Sequence, residues 1–161
     1  MSASGSQLIG VISDTHGYFD PQVPGFFAGV SHILHGGDVG PAKIIGQLEE
    51  IAPVTAVLGN TDSFLALREF EVVELCGLKF LVQHIVNPHR PDDALARRLD
   101  RVKPDVVVYG HTHVAYWGEV GATRFLNPGY AGRQRFQLQR SVALLRCDEG
   151  ALAVEFKPLG E

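Results

Sequence analysis

Side chains that can bind metal ions follow several short apolar segments of this chain. Asp14 and His16 follow the first such segment, and His111 and His113 follow the run Val106-Val107-Val108-Tyr109. Because the carboxyl ends of parallel strands meet at one edge of a sheet, side chains far apart in sequence can converge there on one crevice. The pattern predicts a metal centre built from these four residues and from three that follow other apolar segments: Asp38, Asn60 and His84.

The local spacing also favours metal binding. In both the Asp-x-His pair and the His-x-His pair, the two residues are two positions apart, so in extended backbone their side chains point to the same side. Gly36-Gly37 precedes Asp38, which lets the backbone pass close to an ion and leaves this carboxylate free to bridge two ions. Asn60 offers a neutral carbonyl oxygen and tolerates the left-handed backbone that such loops often need.

This set of ligands predicts which metals bind and what they would do. Mixed imidazole and oxygen ligands suit Mn, Fe, Co, Ni or Zn, whereas Mg and Ca usually favour oxygen alone. Two divalent ions would outweigh the charges of Asp14, Asp38 and one bridging hydroxide, so the site would attract a phosphate. Two ions about 4 Å apart can lower the pKa of bound water to roughly 7. We expect two divalent transition-metal ions per chain, with Mn preferred and Fe, Ni, Co or Zn as alternatives.

The first half of the chain has the pattern of buried parallel strands joined by helices. Asp20 to Val30 is expected to form only a short or irregular helix, because Pro24 and Gly25 interrupt it. Pro41 stands at a plausible first helical position, and apolar residues recur at helical spacing after it. The predicted strands are Leu8 to Ser13, Ser31 to His35 and Pro53 to Leu58, and the predicted helices are Pro41 to Ile51 and Asp92 to Val102.

The second half is rich in strand-like segments joined by tight polar turns. Turns such as Cys76-Gly77 and Asp148-Glu149-Gly150 indicate antiparallel additions and a second sheet. The predicted strands are Val72 to Leu75, Lys79 to Gln83, Tyr116 to Val120, Thr123 to Leu126, Val142 to Cys147 and Ala151 to Lys157.

Size and composition predict one domain over residues 1–161, with a flexible N-terminal tail at 1–7. No apolar run approaches the length of a membrane span and no signal peptide is recognisable, so a cytoplasmic location is expected. The net charge is −4, and the basic residues are scattered except for Arg97-Arg98 and the stretch from Arg133 to Arg140, which disfavours a long nucleic-acid groove. Cys76 and Cys147 show no CxxC spacing, so a disulfide is not expected and both are predicted to be buried thiols.

One ordered series of motifs carries a family resemblance. The motifs are Asp14-x-His16, Gly37-Asp38, Gly59-Asn60-x-Asp62, His84, Gly110-His111-x-His113 and Asn127-Pro128-Gly129. The series resembles the calcineurin-like metallophosphoesterase superfamily, in its small microbial phosphodiesterase branch, and spans residues 8 to about 157. The resemblance implies an α/β fold in which two mixed β-sheets pack face to face between helices, a four-layer αββα sandwich. It also implies hydrolysis of phosphate esters.

Carried over position by position, the resemblance assigns a role to each ligand. It implies that Asp38 bridges two metals, and that Asp38, Asn60 and His111 act in catalysis through metals that activate a bridging hydroxide. The first metal would be held by Asp14, His16, Asp38 and His113, and the second by Asp38, Asn60, His84 and His111. Supporting residues around these ligands are expected to be Thr61, Asp62, Asn127 and Gly129.

Two positions depart from the family pattern. Many members carry His directly after the ligand Asn, where it can protonate the leaving oxygen, whereas this chain has Thr61, a poor general acid. This departure favours diesters with good leaving groups. His35 is a candidate acid, although a packed strand histidine is the favoured interpretation. Ile85 and Val86 follow His84 where relatives often continue Gly-His, so the shape of that loop is not predicted.

Three functional hypotheses follow. The leading one is a metal-dependent phosphodiesterase acting on small phosphodiesters or nucleotide-like compounds, with no membrane partner and with homo-oligomerisation left open. The second is a noncatalytic interaction scaffold, since the fold also resembles a retromer coat subunit with a degenerate metal pocket; the intact histidine ligands argue against it. The third is a repair-type nuclease, disfavoured by the acidic balance, the missing capping domain and Thr61. Arg133 and Arg135 are interpreted as solvated surface residues.

Overall fold

The computed structural model describes residues 6–135 and 137–160. That part of the chain contains ten strands and three helices, with the helices all in the first two thirds. They are β1 (Gln7–Ile12), α1 (Val23–Phe26), β2 (His32–His35), α2 (Lys43–Glu49), β3 (Val54–Ala56), β4 (Phe70–Leu75), β5 (Leu78–Gln83), α3 (Asp93–Val102), β6 (Val106–Val108), β7 (Tyr116–Val120), β8 (Thr123–Asn127), β9 (Ser141–Asp148) and β10 (Ala151–Pro158).

The strands form two mixed five-stranded sheets. The first has the order β10-β9-β1-β2-β3, and β1, β2 and β3 run parallel while β9 runs antiparallel to β1 and β10. The second has the order β4-β5-β6-β8-β7, with β5, β6 and β8 parallel and the outer pairs antiparallel. The predicted second sheet and the antiparallel additions are both confirmed.

The core between the sheets follows from the alternation of side chains along each strand. Val106 and Val108 of β6 lie in an apolar cluster that also contains Val11 of β1 and Leu34 of β2, while Val107 faces the opposite side of its sheet. All five side chains are fully buried. Burying each such aliphatic side chain stabilises the fold by about 1.5–3 kcal/mol, so this inner layer holds the two sheets in a fixed relation.

Helices cover the outer faces of both sheets and complete the four-layer αββα sandwich expected from the family resemblance. On the first sheet, Phe27, Ile44 and Leu48 pack in one cluster with Ile33 of β2. On the second sheet, Leu95 of α3 packs against Val107 and neighbouring residues. The fold class predicted from the sequence is therefore confirmed.

The helices differ from their predicted limits in ways that local chemistry explains. The segment with Pro24 and Gly25 forms only the four-residue α1, as expected. Helix α2 begins at Lys43, so Pro41 lies in the bend before it and the prediction of Pro41 as first helical residue is wrong. In α3 the Asp92 carboxylate accepts a hydrogen bond from the Leu95 amide at 2.8 Å, which caps the helix at its predicted start.

Two further expectations concern the ends of the chain and the membrane. Most of the tail predicted at residues 1–7 lies outside the described residues, but Gln7 already belongs to β1, opposite Cys147, so the strand begins inside the predicted tail. Across residues 6–135 and 137–160, no helix combines the length and the apolar character that a membrane span requires.

The prediction that both cysteines are free thiols is wrong. Cys76 and Cys147 form a disulfide bond, with 6.6 Å between their Cα atoms. Cys76 lies in the turn between β4 and β5, and Cys147 lies near the end of β9, so the bond joins one sheet to the other. Sequence spacing does not reveal this pairing, because the packing of the two sheets creates it. The bond also bears on the expected cytoplasmic location, where thiols are usually kept reduced.

The disulfide predicts a stability that depends on redox conditions. Because the bond closes a loop between residues 71 positions apart, reducing it should lower the free energy of unfolding by about 2–4 kcal/mol. Denaturant unfolding with and without a reductant measures this difference. The control is the double variant Cys76→Ala/Cys147→Ala, whose stability should not respond to the reductant. Equal unfolding curves for reduced and oxidised wild-type protein would contradict the prediction.

Candidate metal centre

The seven candidate ligands all lie just beyond the carboxyl ends of five parallel strands. Asp14 and His16 follow β1, Asp38 follows β2, and Asn60 follows β3 of the first sheet. In the second sheet, His84 comes directly after β5, and the two histidines of the His-x-His motif follow β6. The two sheets therefore bring their chemical groups to one shared edge.

Two overlapping groups of side chains form the buried part of the site. In the first, Asp14 Oδ1 lies 3.3 Å from His113 Nε2 and 3.8 Å from His16 Nε2. In the second, His84 Nε2 lies 3.2 Å from Asp38 Oδ2 and 3.8 Å from Asp14 Oδ1. Asp38 Oδ2 also lies 3.7 Å from His16 Nε2. Asp14 as well as Asp38 therefore stands between the two groups, whereas the resemblance placed only Asp38 there.

The other two candidate ligands lie at the exposed side of the site. His111 Nδ1 is 3.1 Å from Asn60 Oδ1, and both side chains are exposed. The His111 ring stands edge-on to the His84 ring, with 5.3 Å between the ring centroids. His111 thus adjoins the second group without belonging to either tight cluster, and a metal bound beside His84 would have Asn60 and His111 facing solvent.

Three of the atoms that point into this site are buried and lack a hydrogen-bond partner. They are Asp14 Oδ1, His16 Nε2 and His84 Nε2. Buried polar atoms are nearly always hydrogen-bonded, and leaving one unpaired costs about 1–3 kcal/mol. An oxygen anion and two imidazole nitrogens facing one another without partners are a suitable set for divalent transition metals. The residues present therefore fit the metal ions that the sequence predicts.

The backbone adopts the left-handed region at five of the seven candidate ligands. Residues other than glycine rarely adopt positive φ, and doing so costs about 1–2 kcal/mol each. The sequence argument placed both members of each pair in extended backbone, and the structure corrects this: left-handed turns bring the side chains together. Backbone strain of this kind concentrates at functional sites. The angles are φ 55° at Asp14, 46° at His16, 57° at Asp38, 74° at His111 and 67° at His113.

Hydrogen bonds select which oxygen of each aspartate faces the site. Asp38 Oδ1 accepts hydrogen bonds from the Thr61 amide at 2.9 Å and the Thr61 hydroxyl at 2.8 Å, which leaves Oδ2 for the site. Asp14 Oδ2 accepts from the Ser13 hydroxyl at 2.8 Å and the His111 amide at 3.1 Å, which leaves Oδ1. Thr61 therefore has a definite structural role in place of the family's histidine.

The orientation of the His84 ring is set in the same way. Its Nδ1 lies 2.8 Å from the Gly36 carbonyl oxygen. A carbonyl can only accept, so Nδ1 carries the proton and Nε2 presents its lone pair to the site.

Asp62 ties two of the site loops together. Its carboxylate accepts hydrogen bonds from the amides of Val39 and Gly40, which follow Asp38, and from the amide of Gly59, all at 2.9–3.0 Å. The loop that carries Asp38 is thereby locked to the loop that carries Asn60.

Asn127 supports the loop that carries the His-x-His motif. Its side-chain NH₂ donates to the Gly110 carbonyl at 3.2 Å and to the Thr112 hydroxyl at 3.0 Å. Its side-chain oxygen accepts from the Gly129 amide at 2.9 Å, which closes the turn after β8. The side chain is fully buried, so the loop is anchored from beneath.

Two glycines allow the loops to approach the aspartates. A Cβ at Gly59 would overlap Asp38 Oδ1 and the Asp38 amide nitrogen, and a Cβ at Gly110 would overlap Ser13 Oγ and Asp14 Oδ2. Any side chain at these positions would displace the carboxylates, which explains the Gly-Asn and Gly-His order of the motifs.

The charges of the site follow from burial and these hydrogen bonds. Burial acts to raise the pKa of Asp38, but the His84 imidazole 3.2 Å away and the hydrogen bonds from Thr61 outweigh it and hold this pKa well below its usual range. Burial acts to lower the pKa of His84, but Asp38 and Asp14 together raise it. The pKa of His16 is lowered, mainly by burial. The carboxylate of Asp38 is therefore ionised at neutral pH and ready to bind a cation.

His35 does not have the geometry of a leaving-group acid. Its Nδ1 accepts a hydrogen bond from the Gly37 amide at 3.1 Å, so Nε2 carries the proton and donates to the Thr15 hydroxyl at 3.0 Å. Burial lowers its pKa to about 4, so the fully buried ring is neutral at pH 7. The favoured interpretation of a packed strand histidine is the one that this geometry supports.

Two other histidines, His32 and His89, lie apart from the seven candidate ligands. His32 Nε2 is 2.8 Å from the Thr55 hydroxyl, and His89 contacts Tyr116.

Sequence reasoning missed two residues beside the site: Ser13, which holds Asp14, and Tyr130, whose buried ring stacks on His113 with 5.0 Å between centroids. The position of Ser13 directly before a ligand was an available signal, whereas the Tyr130 stack depends on tertiary contact.

Comparison with known proteins identifies the family of this chain. The model of the calcineurin-like phosphoesterase superfamily domain matches residues 8–150. A probable metallophosphoesterase of Methanocaldococcus jannaschii is 39% identical over 133 residues, which are 78% of this chain and 68% of that protein. A phosphodiesterase of the same organism is 28% identical over 141 residues, 75% of this chain and 82% of the relative.

Solved structures show the same fold. Wild-type Vps29 from Entamoeba histolytica, in complex with zinc, matches with a TM-score of 0.76 and 26% identity, covering 95% of this chain and 98% of Vps29. The family match, over residues 8–150, covers most of the chain. The chain belongs to the calcineurin-like phosphoesterase superfamily.

The unpartnered atoms predict that metal binding stabilises the protein. Adding Mn²⁺ at about 100 times its dissociation constant should stabilise the folded state by about 2.7 kcal/mol, and Asp14→Asn should lose most of this gain because Asp14 faces both groups. Calorimetric unfolding with and without Mn²⁺, combined with metal analysis, measures both effects. Asp100→Asn, an exposed change on α3, is the control. An undiminished gain in Asp14→Asn would count against a metal at this site.

Proposed function

We propose that this protein is a dinuclear-metal phosphodiesterase that hydrolyses small phosphodiesters or nucleotide-like compounds. The observation that carries the proposal is the convergence of two aspartates and their neighbouring imidazoles around three unpartnered, buried ligand atoms. Similarity to a relative named as a phosphodiesterase supports the same reaction class.

The two groups of side chains would hold one metal each. Asp14, His16 and His113 would bind the first, and the second would lie between Asp38 and His84, with Asn60 and His111 on its exposed side. Divalent transition metals at these positions would lower the pKa of a bound water and neutralise charge on the phosphoryl group. Mn²⁺ is the metal we propose, with Fe, Co, Ni and Zn as alternatives.

The protein's own residues would keep this site aligned during turnover. Thr61 and Ser13 hold the outer oxygens of the two aspartates, so the inner oxygens cannot rotate away. Asp62 keeps the Asp38 and Asn60 loops together, and Gly36 fixes the His84 ring. Such supporting contacts typically change metal affinity or activity 10–100-fold when they are removed.

Neither side chain considered as a proton donor is suited to that role. The Thr61 hydroxyl donates to Asp38, and both nitrogens of the buried His35 are already in hydrogen bonds. A leaving oxygen would therefore depart without a proton from either residue, which favours diesters whose leaving groups are stable as anions.

A noncatalytic protein-interaction scaffold is the second candidate function. The structural likeness to Vps29 favours it. The ligand set of this chain supports the catalytic function instead, because the chain contains all seven candidate ligands together with the hydrogen bonds that orient them.

Activity measurements distinguish the two candidates. The Mn²⁺-loaded protein should hydrolyse bis(p-nitrophenyl) phosphate, and Asp38→Ala and His111→Ala should each lower kcat/KM by more than about 100-fold, since they remove ligands rather than outer contacts. His89→Ala, a histidine outside the site, is the matched control. Full metal-dependent turnover in Asp38→Ala would refute the proposal that hydrolysis takes place at this metal centre. No hydrolysis with Mn²⁺, Fe²⁺, Co²⁺, Ni²⁺ or Zn²⁺, together with stable copurification of a protein partner, would favour the scaffold.

The missing proton donor predicts a dependence on the leaving group. The p-nitrophenyl ester of thymidine 5′-phosphate should react at least about tenfold faster than the phenyl ester, because the more basic phenolate gains no proton as it leaves. Steady-state kcat/KM values for the two esters measure this. Thr61→Val is the control, because it removes the hydroxyl without adding an acid and should leave the ratio of the two kcat/KM values unchanged. Equal values for the two esters would show that some group does supply the proton.

A further inference from the structure

A cavity of about 710 Å³ is lined by residues that follow the Asp14-x-His16 motif and the Ala131-Gly132 segment, and none of the candidate ligands lines it. Tyr18, two residues after His16, forms one wall, and Arg133 forms another. Its volume lies within the range of about 300–1,000 Å³ that is typical of small-molecule sites. The cavity is therefore large enough for a part of a substrate whose phosphodiester lies at the metal centre.

The acidic group of this cavity is already neutralised. Asp20 is buried, its Oδ2 lies 2.7 Å from Arg140 Nη2, and its Oδ1 accepts from the Gln22 amide at 2.8 Å. Arg140 also donates to the carbonyls of Ala131 and Gly132. The buried ion pair therefore forms a rigid floor that contributes little net charge.

Arg133 differs from this pair because none of the described carboxylates forms an ion pair with it. Its guanidinium lies 4.5 Å from the centroid of the Tyr18 ring, and it makes no hydrogen bond or ion pair with any other residue that the structure describes. A guanidinium stacked on an aromatic ring keeps its edge N–H groups free, and these match the oxygens of phosphate or carboxylate.

The position of Arg133 relative to the metal centre is fixed by the backbone. The amide of Ala131 donates to the Ser13 carbonyl at 3.0 Å, and the amide of Gly132 donates to the Asp14 carbonyl at 2.9 Å. The segment that leads into Arg133 is thus bonded to the strand exit that carries Asp14. Most exposed arginines are simply solvated, but this one is anchored beside a site and stacked at the wall of a cavity.

We propose that this cavity binds a second anionic group of the substrate, a phosphate or a carboxylate, through the Arg133 guanidinium held on Tyr18. The inference rests on the proposed function, since it concerns the substrate of the same metal centre. It replaces the interpretation of Arg133 as a solvated surface residue. The preferred substrate is then a phosphodiester that carries an additional negative charge beyond the scissile phosphate.

Binding to the full chain without metals tests the cavity independently of catalysis. Phenyl phosphate and benzoate, which share one ring and differ in the anion, are titrated separately into chelator-treated, ¹⁵N-labelled protein. Saturable shifts should appear at the Gly132 and Arg133 amides with at least one anion, and Arg133→Gln should weaken that binding about tenfold or more. Arg133→Lys should retain part of the affinity, and the exposed Arg97→Gln on α3 should retain all of it. Unchanged binding in Arg133→Gln, or no saturable shift with either anion, would overturn the proposal.

Kinetics of the Mn²⁺-loaded protein test the same pocket on a substrate. The p-nitrophenyl ester of thymidine 5′-phosphate is compared with its analogue that carries an additional 3′-phosphate. The wild-type protein should prefer the analogue by about tenfold in kcat/KM, mainly through a lower KM, and Arg133→Gln should abolish the preference. The absence of any preference in the wild type would overturn the proposal. If neither ester is hydrolysed, the proposed function fails, and the metal-free titration alone decides whether the pocket binds anions.

Discussion

The structure depends on a concentration of unpaired charge at one edge of two sheets. Asp14 and Asp38 are buried side by side, each with one oxygen held by hydrogen-bond donors and the other left facing imidazole nitrogens. Burying carboxylates without a compensating charge is unfavourable. The supporting hydrogen bonds stabilise only the outer oxygen of each carboxylate and leave the inner oxygen facing the site. Divalent cations bound between these groups would supply the missing positive charge, which would link the stability of the site to its chemistry.

The rest of the fold makes that arrangement tolerable. Five candidate ligands occupy left-handed backbone that disfavours their residue types. Such strain persists only where the surroundings over-determine it, and here the apolar layer between the sheets, with Val11 and Val108 fully buried, holds the strand exits in place. Asp62 and Asn127 then lock the loops to one another and to the strand ends. The apolar packing beneath the site and the hydrogen bonds around it thus together hold the candidate ligands in place.

Three predictions made from the sequence are wrong, because contacts in the folded chain outweighed the local pattern. Pro41 was placed inside a helix that begins at Lys43, because local propensity does not show where a loop must stop to reach the site. Asp14 and His16 were placed in extended backbone, yet both are left-handed. Cys76 and Cys147 were taken for free thiols, and they are bonded across a separation of 71 residues. In each case contacts made by the folded chain decided the outcome over local pattern.

The sequence alone determined the fold class, most of the strands and the seven candidate ligands with their order. The fold class came from the resemblance of the ordered motifs to a known family. The strands and candidate ligands could be located because apolar runs mark buried strands locally, and because each candidate ligand stands within a few residues of such a run. Only the tertiary structure decided which carboxylate oxygen faces inward, which cysteines pair, and where Arg133 lies. The His111 amide reaches Asp14 across 97 positions, and Arg140 reaches Asp20 across 120. Contacts at such separations leave no periodic trace in a single sequence, since they arise only when distant segments come together in the folded chain.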